Sequence, residues 1–151
     1  MIFRDRPDGR RIRDESPMAG ILPHIMRRRN DAAVWFSSEI DVEDALLYVR
    51  SVNAQDPKAR YSLFGLLLAA AVRVFALKPK LNRFVSHRAV YQRNELCFSF
   101  IVKETLTEAA PERSAKVRFQ PDDQAATVLA KTNAAIDALR DGRSTPDERE
   151  M

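Results

Sequence analysis

Apolar and polar residues alternate along residues 33–40 and again along residues 95–103. A period of two places every second side chain on the same face of a β-strand. We therefore predict a strand in each stretch, a shorter strand at 116–119 and a turn at Ser86-His87-Arg88. The apolar residues that define the two faces are Val34, Phe36 and Ile40 in the first stretch and Phe98, Phe100 and Val102 in the second.

A period of three to four residues predicts four helices. The first begins at Pro17 behind the cap Ser16, is bent or interrupted at Pro23 and continues to about Arg29. The second covers about 42–53 behind the cap Asp41, the third covers 63–78, and the fourth starts near 121 and ends at Gly142. Because the third helix is apolar on all sides, we expect it to be the buried central helix. The first helix should bury one stripe, formed by Met18, Ile21, Leu22, Ile25 and Met26.

The order of these elements indicates a mixed layer of the α/β (α+β) class. With 151 residues, 45% of them apolar, the chain is long enough for one domain with a core and too short for two of ordinary size. We place this domain at residues 16–142. It lies between an extended basic arm at 1–15 and a charged tail at 143–151.

The net charge of +4 raises the question of nucleic-acid binding. Residues 1–31 contain eight arginines and five acidic residues, so this segment carries +3 of the total. The rest of the chain is nearly balanced, and its aromatic residues do not alternate with lysine or arginine as a base-stacking surface requires. We therefore expect no nucleic-acid partner.

Few residues offer covalent or metal chemistry. Cys97 lies in an apolar run, which favours a small buried core residue over a reactive thiol and fits a reducing cytoplasm. His24 and His87 lie far apart in the sequence and lack a neighbouring cysteine cluster, so we expect no metal site. The sequence shows neither a signal peptide nor an apolar segment of membrane length, which favours a soluble, cytoplasmic protein without a membrane partner.

Four stretches of the chain, taken together, resemble a known family. They are residues 22–32 (Leu-Pro-His-Ile-Met-Arg-Arg-Arg-Asn-Asp-Ala), residues 38–42, Lys78-Pro79-Lys80-Leu81-Asn82-Arg83-Phe84, and residues 88–103. In this order they are similar to the catalytic domain of 2-oxoacid dehydrogenase acyltransferases, relatives of chloramphenicol acetyltransferase. The similarity is closest to stand-alone bacterial proteins of this group and covers only the amino-terminal portion of the domain.

The resemblance implies a mixed β-sheet with packed helices, like that of chloramphenicol acetyltransferase but incomplete. It also implies a homo-oligomer, typically a trimer, with the active site between subunits and coenzyme A as the cofactor. In this family a histidine of a carboxy-terminal His-x-x-x-Asp-Gly motif is the general base on the thiol. Neither His24 nor His87 stands in such a motif, so the resemblance assigns no catalytic residue to this chain.

Arg27, Arg28 and Arg29 are the candidate cofactor-binding residues. Guanidinium groups suit phosphate oxygens, so these three residues could bind the phosphates of the coenzyme A that the resemblance implies. The alternatives are a solvated helix end or an ion pair with an acidic residue elsewhere in the fold. Trp35, Phe36 and Tyr91 are interpreted as core or subunit-interface residues rather than as residues that stack on a ligand.

Two hypotheses follow from the resemblance. In the first, the chain is a fragment or one half of a split coenzyme A-dependent acyltransferase, and it associates with itself or with a carboxy-terminal partner chain. In the second, it is a non-catalytic scaffold or regulatory descendant that uses the family's oligomerisation or coenzyme A-binding surface. The two hypotheses differ in whether a histidine motif is supplied by another polypeptide.

Overall fold

The computed structural model describes residues 5–13, 16–105, 107–108 and 110–142 of the chain. These residues form two compact units that alternate along the sequence: a first unit of residues up to 41 together with 77–94, and a second unit of residues 42–76 together with those from 95 onwards. Four α-helices and two small antiparallel sheets confirm a mixed α and β architecture. Every strand ladder in the described part of the chain is antiparallel.

A three-stranded sheet is the centre of the first unit. Its strands are β1 (Gly9–Arg11), β2 (Arg83–Ser86) and β3 (Ala89–Arg93), in the order β1-β3-β2. Glycine is needed in β1, because a Cβ at Gly9 would lie 2.8 Å from both the carbonyl oxygen of Gln92 and the ring of Phe84. Residues 9–11 of the predicted basic arm are thus extended and paired with β3. The rest of the predicted arm, residues 1–4 and 14–15, and the predicted tail at 143–151 lie outside the described residues.

The β2–β3 connection confirms the predicted turn. Its two central residues are His87 and Arg88, with φ angles of +48° and +61°. Positive φ at both positions is the pattern of a type I′ turn, whose twist matches that of the flanking strands. Neither residue is a glycine, so both side chains are held in the left-handed region that costs an ordinary residue energy.

Helix α1 (Pro17–Ile25) begins as predicted, since the Ser16 hydroxyl accepts a hydrogen bond of 3.3 Å from the backbone N–H of Ala19. The predicted end at Arg29 is wrong. The backbone leaves the helix after Ile25, and a 3₁₀ turn follows at Arg29–Ala32. The carboxylate of Asp31 accepts a hydrogen bond from the N–H of Arg28, which fixes the start of this turn.

The predicted burial of the apolar stripe on α1 is also wrong. Met18 is 68% exposed, Ile25 is 66% exposed, and Pro23 is the buried residue of the helix. Helix α1 packs against β3, and the short strands of this unit offer too little surface to cover the stripe. Met18 and Ile25 therefore face solvent, whereas Leu22 and Met26 are 39% exposed.

The predicted strand at 33–40 does not form. Residues 33–42 have no regular secondary structure, and Val34, Trp35, Phe36 and Ile40 are between 76% and 93% exposed. A strand requires a neighbour for its backbone groups. No other strand of the described chain pairs with this segment, so the alternation alone was not enough.

A two-stranded sheet lies in the second unit. It pairs β4 (Leu96–Lys103) with β5 (Glu112–Phe119), from Leu96 opposite Phe119 to Lys103 opposite Glu112. Strand β4 confirms the prediction. Strand β5 begins four residues before the predicted 116–119, because its first residues are polar and exposed and thus lack the alternation that marks a half-buried strand.

Three helices complete the second unit: α2 (Glu43–Gln55), α3 (Leu63–Leu77) and α4 (Ala125–Arg140). Val42, not the predicted Asp41, occupies the N-cap of α2. The prediction that α3 is buried on most of its circumference is wrong, since Phe64, Leu67 and Val74 are about half exposed. The buried face of α3 joins a core formed by Leu68, Ala69, Val72, Leu96, Val117, Phe119, Val128, Leu129 and Ala135.

The α2–α3 loop is fixed by polar contacts. Arg60 has a φ of +48°, its guanidinium forms hydrogen bonds of 2.6 and 3.0 Å with the Asp137 carboxylate, and its carbonyl accepts one from Asn133. The side chain of Asn53 also exchanges two hydrogen bonds with the backbone of Tyr61. Side chains from α2 and α4 thus hold the loop from two sides.

Asp123 anchors the entry to α4. Its carboxylate accepts a hydrogen bond of 2.9 Å from the N–H of Gln120 and another from the ammonium of Lys131. Burial raises the pKa of Asp123, but these two donors and the positive charge of Lys131 outweigh burial, so the pKa is lowered overall. The ionised carboxylate therefore stabilises the folded chain.

Replacing His87 and Arg88 together by asparagine and glycine should stabilise the protein. A left-handed backbone costs an ordinary residue about 1–2 kcal/mol, and Asn-Gly is the pair favoured in a type I′ turn. Because glycine also increases the freedom of the unfolded chain, we expect a net gain of about 1 kcal/mol in the free energy of unfolding. Urea titration followed by circular dichroism measures it.

The control for the turn variant is Gly142→Ala. Gly142 follows α4 with a φ of +73°, so alanine there should lower the free energy of unfolding by about 1 kcal/mol. A turn variant less stable than the parent chain would contradict the left-handed conformation of His87 and Arg88.

Asp123→Asn should lower the free energy of unfolding by about 1–3 kcal/mol at neutral pH, since it removes a charged partner of Lys131. The folded-state pKa of Asp123 lies below the ordinary value of 3.8. Its contribution is therefore complete above that value and is lost as the pH falls through the lowered pKa. The difference in the free energy of unfolding between parent and variant should shrink in urea titrations at decreasing acidic pH. The control Asp122→Asn, at an exposed neighbouring position, should have little effect on stability at neutral pH. A difference independent of pH would contradict this account.

Candidate anion-binding cleft

A cleft of about 910 Å³ lies in the first unit, beside the segment that follows α1 and the ends of β2 and β3 where that hairpin opens. Five of its thirteen lining residues are arginines and none is acidic. The lining residues are Met26, Arg27, Arg28, Arg29, Asn30, Ala32, Ala33, Val34, Trp35, Arg83, Phe84, Val85 and Arg93. We call this site the arginine cleft.

Two parts of the chain supply the five arginines. Arg27 and Arg28 lie between the end of α1 and the 3₁₀ turn, and Arg29 begins that turn; all three were candidates from the sequence. Arg83 begins β2 and Arg93 ends β3. The structure therefore joins the predicted cluster to two arginines that sequence reasoning missed.

The β2–β3 register explains why Arg83 and Arg93 meet. Arg83 lies opposite Gln92, so the adjacent Arg93 is at the same end of the hairpin. The Nε of Arg83 also donates a hydrogen bond of 3.3 Å to the side-chain oxygen of Gln92. The sequence predicted a turn at Ser86-His87-Arg88, whereas the structure has a two-residue turn at His87-Arg88. Counting outwards from the two-residue turn pairs position 83 with position 92.

Acidic side chains are few around the arginine cleft: none lines it, although the charge of Arg93 contributes to the lowered pKa of Asp8. Among residues 5–13, 16–105, 107–108 and 110–142, no carboxylate forms an ion pair with Arg27, Arg28, Arg29 or Arg93. The alternative that Arg27, Arg28 and Arg29 form a structural ion pair is therefore not supported in that part of the chain. Several guanidinium groups without carboxylate partners make a site that attracts anions.

Aromatic side chains border the charged groups. The guanidinium carbon of Arg93 lies 4.5 Å from the centroid of the Phe84 ring, which stacks on Tyr91 at 5.4 Å. Tyr91 is buried, as interpreted from the sequence. Placing Trp35 and Phe36 in the core is wrong, because both are about nine-tenths exposed, and Trp35 lines the arginine cleft.

Neither histidine lines the arginine cleft. His24 borders a separate cleft of about 440 Å³ with Arg11, Arg13 and Arg88. His87 lies in the hairpin turn, where its Nδ1 is 3.1 Å from the hydroxyl oxygen of Ser86. Within the portion of the chain that the structure describes, no three histidine, cysteine or acidic residues gather as metal ligands would.

Cys97 lies on β4 and is partly buried rather than in the core. Burial raises the pKa of its thiol, and the nearby carboxylate of Glu95 adds to this effect. A hydrogen bond with Arg118 and the charges of Arg118 and Lys116 act in the opposite direction without reversing the rise. The raised pKa disfavours the thiolate, which is the reactive form of a cysteine.

No family model matches the chain, and no match was found among curated proteins or solved structures. The resemblance to 2-oxoacid dehydrogenase acyltransferases therefore stays a prediction that depends on the stretches named above. None of the helices that the structure describes has the length and apolarity needed to cross a membrane.

Cys97 should react with iodoacetamide more slowly than free cysteine at neutral pH, because its raised pKa leaves less thiolate. The labelling rate, followed by mass spectrometry, should rise with pH, and the midpoint of this rise should lie at a higher pH than for free cysteine. In Glu95→Gln the pKa should fall and labelling at a given pH should accelerate. Labelling faster than free cysteine in the parent chain would contradict this assignment.

Proposed function

We propose that this chain is a coenzyme A-binding member of the acyltransferase group that it resembles, with a fold of the chloramphenicol acetyltransferase type. The observation that carries the proposal is the gathering of Arg27, Arg28, Arg29, Arg83 and Arg93 in one cleft without an acidic lining residue. In this proposal the arginine cleft binds the phosphate groups of coenzyme A.

The chemistry of the cleft matches that of the proposed ligand. Coenzyme A carries a diphosphate and a 3′-phosphate, and planar guanidinium groups bind such oxygens through paired hydrogen bonds. The exposed indole of Trp35 on the same cleft offers a face on which the adenine ring can stack. In this proposal the arginines bind the phosphate groups of coenzyme A, and the Trp35 indole binds its adenine ring.

Acyl transfer at this cleft would need a base that the described residues do not place there. A thiol with a pKa near 8.5 is largely protonated at neutral pH, and general-base catalysis contributes roughly 10²–10⁴-fold in rate. Since His24 and His87 both lie away from the arginine cleft, we propose that an imidazole of another subunit or of a partner chain completes the site.

A second candidate function is a non-catalytic scaffold, and one observation favours it. The stripe on α1 and the segment 33–40 expose large apolar side chains, including Met18, Ile25 and Phe36. Such patches commonly mark protein interaction sites. An oligomer or a partner chain that covers them is compatible with either function, so the assembly remains a proposal in both cases.

Titrating the chain with coenzyme A while recording tryptophan emission tests the proposal. Trp35 is the single tryptophan of the sequence and lines the arginine cleft, so ligand binding should change its fluorescence. Arg28→Gln and Arg93→Gln should each raise the Kd for coenzyme A about tenfold, the effect of losing one charged hydrogen bond. Added salt should weaken binding through screening.

The matched control is Arg73→Gln, which removes the same charge from an exposed position on α3 outside the arginine cleft. It should leave the Kd unchanged. Equal weakening by Arg73→Gln and Arg93→Gln would reveal non-specific charge attraction, and absence of binding by the parent chain would contradict the proposal.

A further inference from the structure

An apolar trough lies beside the arginine cleft in the first unit. Its volume is about 290 Å³, and it runs between α1 and strands β2 and β3. Arg83 is the one charged residue among those that line it. Its apolar walls are formed by Ala19, Leu22, Pro23 and Met26 on one side and by Val85 and Val90 on the other.

The trough and the arginine cleft adjoin. Met26, Ala32, Arg83 and Val85 line both of them. A molecule whose anionic groups lie in the arginine cleft can therefore place an adjoining apolar group in the trough. The shared residues thus place a cleft with five arginines next to a trough with one.

We infer that the trough binds the aliphatic acyl chain of an acyl-coenzyme A, so that the site prefers fatty acyl thioesters to free coenzyme A. This inference rests on the proposed function and specifies its ligand class. The trough distinguishes thioesters by the length of the acyl chain, whereas the arginines bind the part that all of them share.

The polarity of the trough favours an acyl chain over the pantetheine arm of the same ligand. The arm carries two amides, and an amide pressed against an apolar wall loses hydrogen bonds to water without replacement. An aliphatic chain has no such groups and gains from leaving water. Among the lining residues, Arg83 alone has a polar side chain, so the trough cannot satisfy both amides.

The test is a series of titrations of the 151-residue chain, read from Trp35 emission. The ligands are 3′-phosphoadenosine 5′-phosphate, coenzyme A and the acetyl, butanoyl, hexanoyl and octanoyl thioesters. Each methylene that enters the trough should lower the Kd roughly two- to fourfold until the trough is filled. Octanoate without coenzyme A should bind far more weakly than the octanoyl thioester.

Two variants and a matched control locate the effect. Ala19→Phe should fill the trough and Leu22→Asn should make it polar, and both should abolish the chain-length series. Neither should alter the Kd for 3′-phosphoadenosine 5′-phosphate. The control is Gly20→Leu, one position along the same helix. Gly20 does not line the trough, and no atom lies within 4 Å of a Cβ added there. This control should retain the full series.

The outcomes separate the inference from the proposed function. If the parent chain binds neither coenzyme A nor 3′-phosphoadenosine 5′-phosphate, the proposed function fails. If it binds both but acetyl and octanoyl thioesters have equal Kd values, the inference alone is overturned. Equal binding of octanoate and its thioester would also overturn it. So would trough variants that change only the oligomeric state in sedimentation experiments, because a second copy would then occupy the trough.

Discussion

The register of the β2–β3 hairpin determines where the positive charge of the first unit gathers. A two-residue turn at His87-Arg88 places Arg83 opposite Gln92, and Arg93 follows at the same end. A shift of one residue would turn these side chains to the other face of the strands. The arginines that follow α1 would then face a different surface, and both the charge of the cleft and its position next to the trough would be lost. The left-handed backbone at the turn is therefore tied to the position of a site several residues away.

Much of the second unit could be predicted from the sequence because its signals are local. Strand β4 has a clear alternation, and α4 is followed closely by Gly142. Helix α3 is preceded by Ser62, whose hydroxyl accepts a hydrogen bond from the N–H of Gly65, and is followed by Pro79. The missing parts depended on long-range partners. The first residues of β5 are polar and become a strand only because β4 supplies hydrogen bonds, and Arg83 and Arg93 become neighbours only through pairing. Only part of the candidate site was predicted from the sequence. Arg27, Arg28 and Arg29 are consecutive and form a recognisable cluster, whereas Arg83 and Arg93 are single residues far from it in the sequence.

The failed predictions concern burial more than secondary structure. Residues 33–40 have the pattern of a half-buried strand, and α1 has the stripe of a helix packed on a surface, yet both are exposed. A hydrophobic pattern indicates that a face is suited to burial but does not name the surface that covers it. The second unit shows the same contrast on α3, where one face enters the core and Phe64 and Leu67 remain half exposed. The apolar surface thus exceeds what the described residues cover.

Arg60 illustrates how a single residue can couple distant parts of the second unit. Its backbone is in a conformation better suited to glycine, and its side chain and carbonyl are held by Asp137 and Asn133 of α4. A glycine at this position would relax the backbone but lose the guanidinium contact. Arg60 therefore ties the α2–α3 loop to α4 through these hydrogen bonds. Opening of the loop must break these contacts, so they should slow the exchange of the loop's backbone amides with solvent.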